Sequence, residues 1–221
     1  MSARSAPDAL ILDLDGTLWD TSTTCADAWN VVLDRLGLNY RTILPDDVRR
    51  VAGRPHLEAI REVFGDLSES DIRAIAEETA AADNQAIAEH GAVLYPGVRD
   101  HLPRLRKILP LLVVSNCQQG YIELFGEWSG LGEYFLDYEC WGNTGCTKPD
   151  NVRVLVERNR LRTPWLVGDT EGDAEAARAN GIGFVFASYG FGRVASFDHR
   201  IDSFAELGGL VGGTVGRSVT R

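Results

Sequence analysis

The amino-acid sequence predicts an α/β fold in which an open parallel sheet forms a core and a block of helices is inserted near its start. Short, continuous apolar runs are typical of strands buried on both faces of a parallel sheet, and here they alternate with segments of helical periodicity. Residues 20–93 break this alternation, because they carry helical patterns and no strand-like run. Strands that alternate with helices join through right-handed crossovers, which favours a single open sheet.

The apolar runs are the predicted strands of the core. They lie at residues 9–12, 109–114, 165–167 and 183–187, with a weaker candidate at 134–138. Residues 152–160 form a predicted helix between two of these strands. Another predicted helix follows Asp173 and ends at Asn180-Gly181, a sequence that suits a left-handed helix terminus.

Two segments of the core carry signals that work against a simple helix. Val98, Leu102 and Leu105 lie on one helical face, but Pro103 indicates that this helix either begins there or is kinked. Residues 208–221 are rich in glycine and have little apolar periodicity. We therefore expect this tail to be frayed or to lie on the surface.

The block at residues 20–93 is predicted to pack as a second, all-helical domain. Its helical patterns cover residues 27–36, 46–51 and 69–89. Tyr95-Pro96-Gly97 marks the return of the chain to the sheet. The predicted domains are therefore a core made of residues 1–19 and 94–221, and a helical domain made of residues 20–93.

Composition limits the partners of this chain of 221 residues. The formal net charge is -10, which disfavours binding to a nucleic-acid backbone. No stretch approaches the ~18 apolar residues of a membrane span, and residues 1–7 have no secretory apolar region. The expected location is the cytoplasm, and an anionic small molecule remains a possible substrate if a metal and one or two cations reverse the local field.

The first candidate motif, Asp13-Leu14-Asp15-Gly16-Thr17, stands where the first predicted strand ends. Side chains two residues apart leave an extended chain on the same side, so both carboxylates can face one crevice. In an open α/β sheet, ligands bind beyond the carboxyl ends of the strands. Two carboxylates this close repel each other unless a cation lies between them, and Mg²⁺ prefers such oxygen ligands.

A second acidic motif contains Asp169 and Asp173, which follow the third apolar run. If this strand lies beside the first, four carboxylates converge, and their repulsion predicts a bound divalent ion. The alternative for Asp173 is that it caps the helix that begins there.

Ser115-Asn116 and Lys148 are the remaining polar candidates. Ser115 and Asn116 end the most apolar strand, where a hydroxyl and free amides can bind a phosphoryl oxygen, although such a pair also suits an ordinary turn. Lys148 is one of only two lysines. Its ammonium could neutralise both an attacking carboxylate and a phosphate, or it could be a solvated loop lysine.

Taken together and in this order, the motifs resemble those of the haloacid-dehalogenase superfamily of phosphotransferases. Within it they are most similar to the phosphoglycolate-phosphatase-like and β-phosphoglucomutase-like group. The resemblance runs from about Leu10 to Leu207. It implies a Rossmann-like core with a helical cap domain inserted after the first strand.

The resemblance also implies roles for individual residues. Asp13 would be the nucleophile, and Asp15 the general acid and base. Ser115 and Asn116 would hold the transferring phosphoryl group, and Lys148 would balance its charge.

The same resemblance implies a Mg²⁺ site. Asp13, Asp169 and the main-chain carbonyl of Asp15 would bind the ion directly. Asp173 would bind it directly or through a water molecule.

Residues that differ within the group narrow the expected reaction. Asp15 favours an oxygen leaving group, which needs a proton, over a halide, which does not. A phosphonate hydrolase would need a cap lysine, and residues 20–93 contain none. The sugar-phosphate mutases have a histidine where this chain has Cys25, and an arginine about where it has His56. Both differences count against a sugar-phosphate mutase. Arg54 would touch the far end of the substrate, or would be a surface arginine that caps a neighbouring helix.

The predicted function is therefore a Mg²⁺-dependent phosphatase that hydrolyses a small phosphorylated metabolite through an aspartyl-phosphate. The alternatives are a sugar-phosphate mutase and a module of the same fold that binds a phosphorylated ligand without hydrolysing it. An NAD-type oxidoreductase would need G-x-G-x-x-G after the first strand, where Asp13-Leu14-Asp15-Gly16 stands instead.

Overall fold

The core of the protein is a six-stranded sheet in which every strand pairing is parallel. The computed structural model describes residues 6–218, with side chains described to residue 212. The strands, numbered in chain order along the whole protein, are β1 (Leu10–Leu12), β4 (Leu111–Ser115), β5 (Asp137–Cys140), β6 (Trp165–Gly168), β7 (Gly183–Ala187) and β8 (His199–Ile201). Their order across the sheet is β5-β4-β1-β6-β7-β8. The predicted α/β class with an open parallel sheet is confirmed.

Both faces of this sheet are covered, which explains the continuous apolar runs. Along β1, Leu10 and Leu12 join an apolar cluster on one face of the sheet, whereas Ile11 joins a second cluster. All three side chains are fully buried. Side chains of a strand point alternately to its two faces, so a strand covered on both sides needs apolar residues at every position.

Helices cover the two faces between the strands. They are α5 (Val98–Arg106), α6 (Tyr121–Ser129), α7 (Trp141–Thr144), α8 (Lys148–Arg158), α9 (Glu171–Ala179) and α10 (Glu206–Ser218). The predicted left-handed terminus of α9 is confirmed, since Gly181 has a φ of 64°. The amide of Ile182 then bonds back to the carbonyl of Ala177, as in a Schellman ending.

Four further helices lie between the first strand and α5. They are α1 (Ser22–Arg35), α2 (Pro45–Val51), α3 (His56–Val63) and α4 (Glu69–His90). They share an apolar cluster of their own, built around Trp29, Phe64 and Ile75. Two short antiparallel strands, β2 (Trp19–Asp20) and β3 (Val93–Leu94), join these helices to the core.

Several helices differ from their predicted extents. Helix α1 begins five residues earlier than expected, because Asp20 accepts a hydrogen bond from the amide of Ser22 at 2.8 Å and supports an earlier start. Helices α3 and α6 were not predicted. Helix α5 begins at Val98 and contains Pro103, so the alternative in which the helix begins at this proline is wrong.

Two predictions near the carboxyl end of the core also need correction. The strand expected at residues 134–138 is shifted to Asp137–Cys140, because Gly132–Tyr134 form a 3₁₀ turn. The tail expected to be frayed from residue 208 instead forms most of α10. Leu207 and Val211, four residues apart, are fully buried on one face of that helix and anchor it to the core. Residues 219–221 lie outside the described residues.

In the part of the chain that the structure describes, no helix combines the length and the apolar character that crossing a bilayer requires. The longest helix, α4, has 22 residues but carries many charged and polar side chains.

Truncating a leucine of the central sheet is expected to destabilise the protein. Leu112 is fully buried in β4, so Leu112→Ala should lower the free energy of unfolding by about 2–5 kcal/mol through lost burial and a residual cavity. Leu136→Ala is the matched control, because this side chain is 52% exposed. Urea denaturation of both variants checks the prediction, and equal losses would contradict the assigned position of Leu112 in the core.

Candidate active site

The ends of three neighbouring strands place the predicted site residues together. Strand β1 lies between β4 and β6, so Asp13, Ser115 and Asp169 stand at the same edge of the sheet. The amide of Asp13 donates to the carbonyl of Val167 at 2.9 Å and continues the pairing of β1 with β6. Parallel pairing therefore gathers residues that are more than 150 positions apart in sequence.

Lys148 is buried between two carboxylates. Its Nζ lies 2.7 Å from Oδ1 of Asp13 and 2.7 Å from Oδ1 of Asp173, and only 3% of its side chain is exposed. Burial alone would lower the pKa of this ammonium, but Asp13 and Asp173 raise it above its ordinary value. Lys148 is therefore a charged member of the site, and the alternative of a solvated loop lysine is wrong.

Three buried carboxyl groups form a candidate metal site. Asp13, Asp169 and Asp173 each offer an oxygen within 4.8 Å of the others. Burial and the charge of Asp173 raise the pKa of Asp13 well above its usual value and that of Asp169 to about 7, while Lys148 opposes both shifts. Oδ2 of Asp13 and Oδ1 of Asp169 are buried without a hydrogen-bond partner. Oxygen ligands with unpaired atoms fit a small divalent cation such as Mg²⁺.

A glycine-containing loop after β7 orients Asp169. The amides of Phe191 and Gly192 donate to its Oδ2 at 2.7 and 3.3 Å. Gly16 approaches the same carboxylate from the other side, with a φ of 82°, and a Cβ at Gly16 or Gly190 would overlap Asp169. This loop was not predicted from the sequence; its signal is the pair of glycines that follows the fourth apolar run.

Asp173 contacts both Lys148 and the start of α9. Its Oδ1 accepts the hydrogen bond from Lys148, and its Oδ2 accepts from the amide of Thr170 at 3.0 Å and from the Thr170 hydroxyl at 2.7 Å. The carboxylate thus supports the first turn of α9 and still faces the candidate metal site.

Asp15 has partners that sequence reasoning did not identify. Its Oδ1 accepts hydrogen bonds from the hydroxyls of Tyr121 at 2.9 Å and Thr21 at 3.1 Å. Burial raises the pKa of Asp15 to about 6, although these two hydrogen bonds oppose the shift. A carboxyl group in this range can release and accept a proton near neutral pH.

Ser115 and Asn116 are held by different partners. The Ser115 hydroxyl accepts a hydrogen bond from the amide of Cys117 at 3.2 Å and can still donate. The Nδ2 of Asn116 donates to the carbonyl of Gly53 at 2.7 Å, in the loop between α2 and α3. Asn116 therefore links the core to the inserted helices, a contact that the sequence did not predict.

Arg54 stands in that same loop and lines the cavity described below, but its guanidinium is engaged elsewhere. Its Nη2 lies 3.0 Å from Oε2 of Glu62 on α3, and its side chain is half exposed. This geometry favours the alternative of a surface arginine beside a neighbouring helix. A contact between Arg54 and a substrate would require this ion pair to open.

A cavity of about 80 Å³ lies between the strand ends and the inserted helices. From the core, Asp13, Asp15, Ser115 and Tyr121 line it. From the inserted helices, Cys25, Trp29, His56 and Asp83 line the opposite wall.

Comparison of the sequence with protein-family models identifies the family of this chain. The model of the haloacid dehalogenase-like hydrolases matches residues 10–187. The chain belongs to this family of hydrolases, as the sequence motifs had indicated.

The relatives support the same assignment. A phosphoglycolate phosphatase of Chromobacterium violaceum is 29% identical over 216 residues, covering 90% of this chain and 94% of the relative. A phosphoglycolate phosphatase of Rhodobacter capsulatus is 30% identical over 215 residues, covering 93% and 97%. Among solved structures, a haloacid dehalogenase-like hydrolase of Streptococcus pneumoniae has a TM-score of 0.81 at 22% identity, covering 95% of this chain and 99% of that one. The last comparison supports the fold alone.

Replacing Gly16 is expected to disturb the candidate metal site and the fold. Gly16→Ala forces a Cβ against Asp169 and keeps a left-handed backbone, so the free energy of unfolding should fall by about 3 kcal/mol. Gly37→Ala is the matched control, because Gly37 has a φ of 68° but no atom near an added Cβ. Its expected loss is about 1 kcal/mol from the backbone alone. Urea denaturation of both variants measures the difference, and equal losses would contradict the close approach of Gly16 to Asp169.

His56 is expected to make stability depend on pH. Its Nε2 lies 2.9 Å from the Thr79 hydroxyl, and burial lowers its pKa from 6.5 to about 4. The unfolded chain therefore binds the proton more readily, and the free energy of unfolding falls as pH decreases from about 6.5 towards 4. Between pH 7.5 and pH 5 the loss due to His56 should be about 2 kcal/mol.

Comparing urea denaturation of the wild type with His56→Gln at both pH values isolates this contribution. The variant should lose about 2 kcal/mol less than the wild type over this range, because glutamine does not titrate there. His90→Gln, at an exposed histidine, controls for the removal of one histidine. An identical pH dependence in wild type and His56→Gln would refute the prediction.

Proposed function

We propose that this chain is a Mg²⁺-dependent phosphatase that hydrolyses small phosphate monoesters through an aspartyl-phosphate. The observation that carries the proposal is the buried Lys148 ammonium held between Asp13 and Asp173, beside carboxylate oxygens that have no partner. This arrangement combines a nucleophile, a fixed positive charge and ligands for a divalent cation. The names of the curated relatives, phosphoglycolate phosphatases, support the reaction class.

Asp13 is the proposed nucleophile. A carboxylate oxygen of Asp13 attacks phosphorus, and the bond from phosphorus to the ester oxygen breaks. Lys148 holds the other side of the carboxylate and keeps it aimed along the cavity. The covalent step divides one difficult displacement into two easier ones.

Asp15 is the proposed general acid and base. It gives its proton to the departing ester oxygen in the first step. In the second step it takes a proton from the water that attacks phosphorus and releases Asp13. The hydroxyls of Tyr121 and Thr21 fix one oxygen of Asp15, so the other oxygen is the one that exchanges the proton.

Charge on the transferring group is balanced by groups at the strand ends. The Ser115 hydroxyl and the Lys148 ammonium are proposed to donate hydrogen bonds to the phosphoryl oxygens, and Asn116 is proposed to assist from the cap side. Donors fixed in advance stabilise the transition state without reorganisation at the moment of reaction.

Asp13, Asp169, Asp173 and the main-chain carbonyl of Asp15 are the proposed ligands of Mg²⁺. When bound, the ion supplies positive charge that offsets the negative charge of the phosphoryl oxygens. The four inserted helices are proposed to act as a cap that excludes water from the cavity, through contacts such as that between Asn116 and Gly53.

The decisive experiment measures release of inorganic phosphate from p-nitrophenyl phosphate and short alkyl phosphates. Wild-type protein with Mg²⁺ should release phosphate, and a chelator should abolish the release. Asp13→Asn should reduce turnover by about 10⁴-fold or more, because an amide is a poor nucleophile for phosphorus. Asp66→Asn, at an exposed carboxylate in the loop between α3 and α4, is the matched control.

Two results would count against the proposal. Turnover retained by Asp13→Asn would refute the assigned nucleophile. Binding of phosphate esters without turnover by the folded wild type would favour a module that only binds phosphorylated ligands.

A further inference from the structure

The cap side of the cavity contains a buried acid that the proposed mechanism does not use. Asp83 lies on α4, is 4% exposed and lines the cavity. Its Oδ1 accepts a hydrogen bond from Nε1 of Trp29 at 3.0 Å. Within the described residues, no cationic side chain forms an ion pair with it. A buried carboxyl without a cation is costly and often marks a functional position.

Burial makes the charge of Asp83 dependent on what occupies the cavity. Burial raises the pKa of Asp83 to about 8, and the charge of Asp15 contributes to this rise. The two carboxyl groups therefore interact across the cavity. A cation bound between them would favour their charged forms and recover part of the cost of burying them.

The cations near the cavity are already engaged or neutral. Arg54 pairs with Glu62, and Lys148 pairs with Asp13 and Asp173. His56 is neutral near pH 7, because burial lowers its pKa to about 4.

The electrostatic character of this wall limits the leaving groups that it accepts. A leaving group with a carboxylate or a second phosphate would find no unpaired cation among the described residues of this wall, so burying its charge there is unfavourable. An ammonium would pair with Asp83 and favour its charged form.

We propose that the leaving group of the substrate carries an ammonium group, which binds Asp83 beside Trp29 while the ester oxygen faces Asp15. This inference rests on the proposed phosphatase activity. A cavity of about 80 Å³ has room for roughly five to eight water-sized groups, part of which the phosphoryl group occupies. The preferred substrate is therefore a phosphate ester of a short amino alcohol.

The proposed leaving group differs in charge from that of the substrate in the relatives' names. Phosphoglycolate, the substrate in those names, has a leaving group that ends in a carboxylate. Arg54 is bound to Glu62, and Asp83 lies on the wall formed by the inserted helices. This cavity is therefore unsuited to a carboxylate on the leaving group. The chemistry at phosphorus would be shared with the relatives, whereas recognition of the leaving group would differ.

Three esters of nearly equal size and different charge test the proposal. They are 2-aminoethyl phosphate, 2-hydroxyethyl phosphate and phosphoglycolate, whose leaving groups are positive, neutral and negative. The expected kcat/KM for the aminoethyl ester exceeds that for the hydroxyethyl ester about 10-fold and that for phosphoglycolate about 100-fold. p-Nitrophenyl phosphate, assayed in parallel, reports phosphatase activity independently of this preference.

Asp83→Asn removes the carboxyl group that would ionise beside the ammonium, with little change of shape. It should lower kcat/KM for the aminoethyl ester about 10- to 100-fold, mainly through KM, and change that for the hydroxyethyl ester less than about 3-fold. Retained turnover of the neutral ester also shows that the variant is folded. Glu77→Gln, an exposed acid on the same helix, is the matched control and should leave all three values unchanged.

The possible outcomes are distinct. A preference for phosphoglycolate, equal rates with all three esters, or an equal loss on all of them in Asp83→Asn would overturn the ammonium proposal while leaving the phosphatase intact. Failure to hydrolyse any of the three esters, and p-nitrophenyl phosphate as well, would refute the phosphatase and this inference together.

Discussion

The arrangement of the site depends on the two contacts of the buried Lys148 ammonium with Asp13 and Asp173. Burying three carboxyl groups within a few ångströms of one another costs several kcal/mol per charge unless cations lie among them. Lys148 is the first residue of α8, where Thr147 accepts a hydrogen bond from the amide of Asp150 and caps the helix. The start of α8 therefore sets the position of Lys148, the only cation that pairs with this carboxylate cluster among the described residues. The strand ends are arranged around it.

Much of this arrangement could be predicted, because it depends on local sequence at strand ends. Asp13, Ser115 and Asp169 each end an apolar run, and a parallel sheet brings such ends to one edge. The site residues that were not predicted make contacts with residues far away in the sequence. Tyr121 reaches Asp15 over 106 positions from a helix whose internal Gly126 weakens its helical pattern. Asp83 stands in the polar run Asp83-Asn84-Gln85, which by itself indicates a solvated helix face. Only the packing of α4 against α1 shows that Asp83 is buried.

In the tail, residues 208–221, local sequence argued against a helix that the structure contains. Its glycines argue against a helix on propensity alone, at roughly 1 kcal/mol each relative to alanine. The buried side chains of Leu207 and Val211 against the core provide tertiary contacts that outweigh the local preference. Propensity thus failed where two well-spaced apolar residues were enough to fix the segment, and the same reasoning explains why Pro103 is accommodated inside α5.

The two walls of the cavity are under different physical constraints, which is why they can change independently. The core wall is set by strand register, by the absence of a Cβ at Gly16 and by the balance of charge around Lys148, so few substitutions there preserve the chemistry. The cap wall is built from helices that meet the core through contacts such as the one from Asn116 to Gly53. Under the proposed mechanism, exchanging a charge on that wall would alter which leaving group is favoured while the groups around phosphorus stay in place. Identity near 30% with phosphoglycolate phosphatases is therefore informative about the reaction, whereas the leaving group must be inferred from the ionisable groups that face it, and Asp83 is the buried acid that we propose to recognise it.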